Sequence, residues 1–317
     1  MYDVTAIGEL LIDFTHKSSD AMGYPTMEAH PGGAIPNLLA AVAKFGGKCA
    51  QLGKVGDDAF GKLLLNTLHA AGIDISGMRV DPAVFTTLAF VTLDSSGDRS
   101  FSFARKPGSD MCIRFEELKL ELIDQAKVFH FGTLSLTDEP SRTATQKCVA
   151  YAKEKGKLIT LDPNLRLPLW HDAEAAKEQM LWALEQADVV KISDNEVEFL
   201  FGLSPEEGAK HLLQAYGCKL VFVTCGPEGA VYANRNALGR VPGLTSVQVV
   251  DTTGAGDIFG GSAIWKLLRT GKAPEALTGE EMADIARFAC TAASLSTQKP
   301  GGVSSVPEYD EVISYLM

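Results

Sequence analysis

The sequence predicts an α/β fold in which helices cover both faces of a mainly parallel sheet. Short β-branched or apolar runs alternate with longer helical patterns, as in parallel α/β folds. The runs are almost continuously apolar, which is typical of parallel strands buried on both faces. The predicted strands are Val4–Ile7, Ala50–Leu52, Val128–Phe131, Leu158–Leu161, Val189–Ile192 and Leu220–Val223. The predicted helices include Asn37–Phe45, Phe60–Ala71, Glu139–Lys155, Ala173–Gln186 and Pro205–Tyr216.

One pair of strands interrupts this alternation. Thr86–Leu93 and Ser100–Arg105 are predicted to form a hairpin with a glycine-containing loop at residues 94–98. Because side chains alternate along a strand, aromatic rings and a guanidinium share one face of the second strand. The side chains on that face are Phe101, Phe103 and Arg105. We expect this hairpin to cover a pocket, with an ordinary edge hairpin as the alternative.

The composition limits the possible partners. With 317 residues, of which 46% are hydrophobic, the chain can bury a large core. The net charge of -11 and the absence of a Lys/Arg cluster argue against nucleic acid or an anionic membrane. The cysteines lack metal-site spacing, and no apolar stretch reaches the ~18 residues of a membrane span. We therefore expect a cytoplasmic protein with reduced cysteines.

The most informative segment is Val249–Asp257, which leads from a strand into an apolar helical run. Gly254 and Gly256 flank Ala255, so a ligand can approach the backbone amides of this turn closely. Such amides bind anions, and a carboxylate beside them repels an anion unless it is there to accept a proton. We therefore interpret Asp257 as a general base and the turn as an anion hole for phosphoryl transfer. The alternatives are a capping aspartate and a dinucleotide-binding turn.

Polar residues suited to a polyol lie towards the N-terminus. Asp13 follows the first predicted strand, and Gly32-Gly33 and Asn37 lie where a helix begins. A carboxylate, an amide and open backbone can pair with neighbouring hydroxyls, each of which donates and accepts. Arg105 and Arg166 are two cations that could also meet the ligand. The alternatives are a strand-end carboxylate, a capping amide and surface ion pairs.

Two segments after predicted strands are suited to a nucleotide. Lys191 precedes a short helix on which Asn195 and Glu198 share a face and could order water around magnesium. Val223–Ala230 ends a strand with two glycines and could pass over phosphates. A solvated acidic helix start and a plain hairpin turn are the respective alternatives. Gly56–Leu63 lacks the final hydroxyl of a P-loop and carries two aspartates, so we reject it as one.

The chain resembles the ribokinase-like (PfkB) carbohydrate kinases. Gly32–Asn37 with the helix that follows, and Asp251–Asp257, are similar to the two signatures of that family. The likeness is collinear over nearly the whole chain. Within the family, three further stretches are most similar to fructokinases, namely Gly53–Asp58 with Phe60-Gly61, Phe103–Gly108 with Asp110-Met111, and Asp162–Trp170.

The resemblance implies one three-layer α/β/α domain over residues 1–317, with a mainly parallel sheet and a small β-sheet lid. The lid would comprise residues 13–32 and 85–108 approximately. The implied activity is transfer of the γ-phosphate of ATP to a sugar hydroxyl, most simply that of fructose, with Mg²⁺. A potassium ion and a homodimer formed through the lid are further expectations. A 2-keto-3-deoxygluconate kinase, another sugar or nucleoside kinase, a catalytically silent sugar sensor and a dehydrogenase remain as alternatives.

The resemblance also assigns roles to individual residues. The catalytic group would be Asp257 as base, with Gly254, Ala255 and Gly256 as the anion hole. The sugar would be bound by Asp13, Gly32, Gly33, Asn37, Phe103, Arg105 and Arg166. The ATP side would comprise Lys191, Asn195, Thr224, Gly226 and Gly229, with Glu198 holding magnesium through water. Potassium would be bound by Asp251, Thr253, Gly301 and Ser305.

Overall fold

The computed structural model describes residues 1–93 and 99–317, with residues 93 and 99–101 described by their backbone alone. The predicted hairpin loop at residues 94–98 and the predicted orientation of Phe101 therefore lie outside the described residues. The strands are β1 (Tyr2–Ile7), β2 (Leu11–Ser19), β3 (Pro25–Gly32), β4 (Cys49–Gly56), β5 (Ile73–Asp81), β6 (Leu88–Leu93), β7 (Arg99–Ala104), β8 (Ala126–Gly132), β9 (Leu158–Asp162), β10 (Val189–Ser193), β11 (Leu220–Thr224), β12 (Ala230–Ala233) and β13 (Leu238–Val241). The α-helices are α1 (Ala34–Lys44), α2 (Ala59–Ala70), α3 (Glu121–Asp124), α4 (Ser141–Glu154), α5 (Ala173–Gln186), α6 (Asp194–Phe201), α7 (Pro205–Ala215), α8 (Ala255–Thr270), α9 (Gly279–Ser296) and α10 (Tyr309–Ser314).

A large mainly parallel sheet forms the centre of the molecule. Its strand order is β13-β12-β11-β10-β9-β8-β1-β4-β5. Neighbouring strands from β5 to β11 are parallel, and β12 and β13 add an antiparallel edge. All six predicted strands lie in this sheet, so the predicted parallel sheet is confirmed.

Helices cover both faces of the sheet, as alternate residues of β8 show. Phe129 and Phe131 are fully buried in a cluster with side chains of α4, α5 and α7. Val128, which directly precedes Phe129 in the strand, is buried in a different cluster with side chains of α1, α8 and α9. Successive strand residues point to opposite faces, so the two clusters are the two interfaces of a three-layer α/β/α fold. This layering confirms the predicted fold class.

A second sheet of four strands is formed in the order β3-β2-β6-β7. Its β6 and β7 are the predicted hairpin, paired antiparallel from Leu88↔Ala104 to Leu93↔Arg99. The strand β2 joins the hairpin in parallel through β6 and pairs antiparallel with β3. Of these strands, β3, β6 and β7 lie within the two segments expected to form the lid, and β2 begins two residues before the first segment, at Leu11. Among the described residues, no helix combines the length and apolarity needed to cross a bilayer.

The helix α1 begins three residues earlier than predicted, at Ala34 instead of Asn37. Gly33 has a φ of 113°, which lets the chain turn sharply between the end of β3 and this helix. Gly33 has no side chain to cap the helix, and the Oε1 atom of Glu9 instead accepts from the backbone N–H of Ala34 at 2.6 Å. Asn37 therefore lies within the first turn of a helix that is capped from another element.

Candidate active site

The carboxylate of Asp257 lies in the first turn of α8, directly after the turn that begins at Gly254. Gly254 adopts the left-handed conformation with a φ of 77°, and the helix starts at Ala255. Asp257 is buried, and each of its oxygens accepts a hydrogen bond from a side-chain amide. Asn37 Nδ2 donates to Oδ2 at 2.9 Å, and Asn164 Nδ2 donates to Oδ1 at 2.8 Å. Two neutral donors from separate elements therefore fix the orientation of this carboxylate.

Burial disfavours the ionised form of the Asp257 carboxylate, which nevertheless ionises near neutral pH. Burial raises the pKa of Asp257 to about 6. The Asn37 amide and the positive charges of Lys191 and Arg166 act in the opposite direction. Above about pH 6 the group is a carboxylate that can accept a proton, as a general base must.

A buried cation lies against the turn. A Cβ atom added at Gly256 would come within 2.9 Å of Lys191 Nζ. This Nζ donates to both carboxylate oxygens of Asp162, at 3.2 and 3.0 Å. Burial lowers the pKa of Lys191, but the carboxylates of Asp162, Glu196 and Asp257 outweigh it, so the pKa is raised. The side chain of Lys191 therefore remains positive beside the turn amides.

A polar cavity of about 510 Å³ opens onto Asp257. The structure brings ten of the predicted site residues to its wall: Asp13, Gly33, Asn37, Phe103, Arg166, Lys191, Thr253, Gly254, Gly256 and Asp257. Gly32 lies behind Asp13, where a Cβ would come within 2.0 Å of the Asp13 Oδ2 atom. Burial raises the pKa of Asp13 to about 6, with Arg166 acting in the opposite direction. The small sheet and the carboxyl ends of the central strands thus enclose one site, where open α/β sheets bind ligands.

A second cavity of about 460 Å³ meets the first at the turn. Thr224, Gly226 and Gly229 line it together with apolar side chains and residues of α9. Gly256 lines both cavities, so the turn separates a polar compartment from a mostly apolar one. A ligand bound in one compartment would meet a ligand bound in the other at this point.

The other residues predicted for the nucleotide side lie outside both cavities. Asn195 and Glu198 are exposed on α6 and line a neighbouring surface depression. Pro227 borders this depression and the apolar cavity alike, which places the two side chains beside the loop that follows β11. Their carboxylate and amide oxygens are hard ligands of the kind that Mg²⁺ prefers, usually with water in between.

Arg105 does not line the polar cavity, contrary to the sequence prediction that it meets the ligand. Its guanidinium is buried and forms an ion pair with Asp110, with an N–O distance of 2.7 Å. It also donates to Thr137 Oγ1 and to the carbonyl oxygen of Leu134, each at 2.9 Å. The prediction assumed strand alternation from Phe103, but β7 ends at Ala104, so the alternation does not extend to Arg105.

The residues predicted to bind potassium lie together beside the turn. Asp251 Oδ1 accepts from the backbone N–H and the hydroxyl of Thr253, at 2.9 and 2.7 Å. Its Oδ2 accepts from the N–H of Gly301 at 3.0 Å. Ser305 is buried next to them and donates its hydroxyl to Gly302 O at 2.9 Å. Within the described chain, no group of three or more His, Cys, Asp or Glu could hold a metal ion, so a cation here would depend largely on hydroxyl and carbonyl oxygens.

Three site residues escaped the sequence analysis. Glu9, buried in the cavity wall, caps α1, and burial raises its pKa to about 7. Asn164 lies within a segment similar to fructokinases but carried no role of its own. Glu196 accepts from the N–H groups of Leu165 and Ser193 at 2.7 and 2.8 Å. The pattern Ser193-x-x-Glu196 is a capping-box signature and could have identified the last of these.

The fold and the site define a kinase of small molecules, and the comparisons with known proteins name its family. The chain belongs to the pfkB family carbohydrate kinases, whose family model matches residues 1–309. It is therefore a carbohydrate kinase, which transfers phosphate to a sugar hydroxyl. The dehydrogenase alternative is not supported.

Known fructokinases are among its most similar relatives. Fructokinase-2 of Solanum habrochaites is 41% identical over 319 residues, which cover 99% of this chain and 95% of that protein. The crystal structure of fructokinase with bound ATP from Xylella fastidiosa has a TM-score of 0.90 at 30% identity, covering 100% of this chain and 98% of that one. The fructokinase from Vibrio cholerae O395 in its fructose, ADP and calcium ion bound form has a TM-score of 0.86 at 30% identity, covering 100% and 99%.

Proposed function

We propose that this chain is an ATP-dependent fructokinase, which transfers the γ-phosphate of ATP to fructose and forms fructose 6-phosphate. The observation that carries this proposal is the position of Asp257. Its carboxylate and the turn Gly254–Gly256 lie where the polar and the apolar cavities meet. A hydroxyl bound in one cavity and a phosphoryl group entering from the other would meet beside a base and outward-pointing amides.

The polar cavity binds the sugar. Asp13, Asn37 and Arg166 line it and offer acceptors and donors to neighbouring hydroxyls. The charged side chains of its wall comprise the carboxylates of Glu9, Asp13, Glu196 and Asp257 and the cations Arg166 and Lys191. This excess of carboxylates favours a neutral sugar over an acidic one, and therefore fructose over 2-keto-3-deoxygluconate.

The chemistry takes place at the start of α8. Asp257 accepts the proton of the attacking hydroxyl, because its carboxylate is ionised at neutral pH and is held by two amides. The turn amides and the positive charge of Lys191 stabilise the negative charge on the transferred phosphoryl group. Thr224, Gly226 and Gly229 bind ATP in the apolar cavity.

Magnesium and potassium have separate places in this proposal. Asn195 and Glu198 would hold magnesium through water, since both are exposed beside the loop that borders the ATP cavity. Magnesium would neutralise charge on the ATP phosphates. Potassium would lie among Asp251, Thr253, Gly301 and Ser305, where it would offset the carboxylate of Asp251 near the phosphate turn.

The small sheet acts as a lid over the sugar and as the surface for a homodimer in the cytoplasm. Asp13 of β2 and Phe103 of β7 line the sugar cavity, which is the contact expected of a lid. Beyond the cavity, the turn between β2 and β3 exposes 75% of Met22 and 64% of Tyr24, apolar side chains that a second lid would cover. Sedimentation of a Met22→Ser, Tyr24→Ser variant would test this: a dimer that persists contradicts the lid interface.

The activity is tested by measuring ADP release from ATP, and GDP release from GTP, across a panel of sugars, sugar acids and nucleosides. We expect the highest kcat/KM with fructose and ATP, and fructose 6-phosphate as product. A higher kcat/KM with 2-keto-3-deoxygluconate or a nucleoside would contradict the proposed substrate. Fructose binding without any ADP release would support the sugar sensor instead.

A further inference from the structure

Among the residues that the structure describes, Asn164 is the one residue other than glycine with a positive φ, 54°. It lies two positions after the end of β9. This left-handed conformation is uncommon for a residue with a side chain, although asparagine tolerates it better than most. The side chain is buried, and its Nδ2 donates to Asp257 Oδ1 at 2.8 Å. An uncommon backbone conformation thus aims an amide at the proposed base.

Both neighbours of Asn164 are fixed by other elements. The carbonyl oxygen of Pro163 accepts from the backbone N–H of Thr133 at 3.2 Å, after β8. The N–H of Leu165 donates to Glu196 Oε1 at 2.7 Å, on α6. The peptide groups on either side of Asn164 therefore cannot rotate freely, and the amide stays directed at Asp257.

The amide differs from the charged groups that face Asp257. Those groups are Lys191 on β10, Asp162 at the end of β9, Arg166 in the loop that follows it and Glu9 after β1. The ammonium of Lys191 is hydrogen-bonded to Asp162, so its positive charge is shared between Asp162 and Asp257. An amide N–H donates to a carboxylate but cannot take up a proton, and it stabilises the ionised form of its partner.

We propose that Asn164 is a positioning residue for the reaction, which keeps Asp257 ionised and directs its free electron pairs towards the sugar hydroxyl. Asn37 holds the other oxygen at 2.9 Å, so the two amides together form a cradle around the carboxylate. This inference rests on the proposed role of Asp257 as the base.

The test is the pH dependence of kcat/KM for fructose at saturating ATP. Asn164→Gly accepts the positive φ and removes only the amide, so the acid limb should move up by about one pH unit. At a pH below the limb, kcat/KM of the variant should then be about tenfold lower than that of the wild type. At pH 8.5 the reduction should be much smaller. Asn164→Asp has the same size and places a second carboxylate against Asp257, so its acid limb should move further. Leu167→Gly, at an exposed position of the same loop, should keep the wild-type limb and serves as the control.

An acid limb at the wild-type pH in both Asn164 variants, with an equal loss of rate at every pH, would overturn the proposal. Such a result would show that the residue acts only on the structure of the loop. Asp257→Asn separates this failure from that of the proposed base. If that variant keeps more than about a tenth of the wild-type kcat, Asp257 is not the base. If its turnover collapses while the Asn164 limbs stay unchanged, only the role of Asn164 is wrong.

Discussion

Asn37 donates its side-chain amide to Asp257 at 2.9 Å, although 220 positions separate the two residues. One lies in the first turn of α1 and the other in the first turn of α8, and these helices pack against each other. Among the described residues, the Oδ1 atom of Asn37 has no hydrogen-bond partner, and it lies against Gly302. The packing of α1 against α8, with Gly302 beside Asn37, therefore holds the Asn37 amide within hydrogen-bonding distance of the Asp257 carboxylate.

Asp257→Asn should abolish turnover while leaving fructose bound. The substitution keeps the size of the side chain and removes the proton acceptor, so kcat should fall by roughly 10²–10⁴-fold. A capping aspartate would behave differently, because asparagine also caps well and only stability would change, by ~1 kcal/mol or less. A coupled assay for kcat and calorimetry for fructose affinity, on the same folded variant, distinguish the two roles.

Gly302→Ala should lower kcat without unfolding the protein. A Cβ at this position would lie 2.0 Å from Asn37 Oδ1, so the Asn37 side chain has to move and its bond to Asp257 is disturbed. A displacement of this size at the base should cost about 10–100-fold in rate. Gly279→Ala, whose Cβ would meet its nearest atom at 3.3 Å, is the matched control. A folded Gly302→Ala enzyme with wild-type kcat would show that the cradle does not depend on this packing.

Glu9→Gln should stabilise the protein at alkaline pH. Burial raises the pKa of Glu9 to about 7, above the ~4.3 of the unfolded chain. Between these two pKa values the folded state binds more protons at this group than the unfolded chain does. The stability that the group contributes is therefore fully present below about pH 4 and is lost as the pH rises through about 7. Glutamine still accepts from the N–H of Ala34 but cannot ionise.

We expect the free energy of unfolding of Glu9→Gln to exceed that of the wild type by about 1–3 kcal/mol at pH 8. The difference should shrink as the pH falls towards 4. Urea titrations at several pH values measure it, with Glu154→Gln as the control because Glu154 is exposed. A constant difference at all pH values would mean that Glu9 does not titrate in this range.

Potassium should raise the activity. A cation among Asp251, Thr253 and Gly301 would offset the carboxylate of Asp251, which lies near the turn proposed to bind phosphate. The rate in potassium chloride should exceed that in tetramethylammonium chloride at the same ionic strength, and Asp251→Asn should weaken this response. Equal wild-type rates in the two salts would count against a cation at this place.

The sequence predicted those parts of the site that depend on local backbone conformation. Two glycines around Ala255, followed by an apolar run, indicated a turn and a helix start, and the structure has both at those positions. The apolar runs indicated the parallel strands for the same reason, because burial on both faces leaves a local pattern. The edge strands β12 and β13 were missed, since they have only four residues each and little periodicity.

The sequence by itself determined the fold class, the turn at Gly254–Gly256 and the position of Asp257, because these depend on residues close together in the chain. The tertiary structure decided which side chains surround that carboxylate. Asn164 reaches it across 93 positions, and Arg105, predicted to face the sugar, is instead buried and paired with Asp110. Local conformational preferences fix where a turn or strand forms, whereas the partner of a buried polar group depends on how distant elements pack.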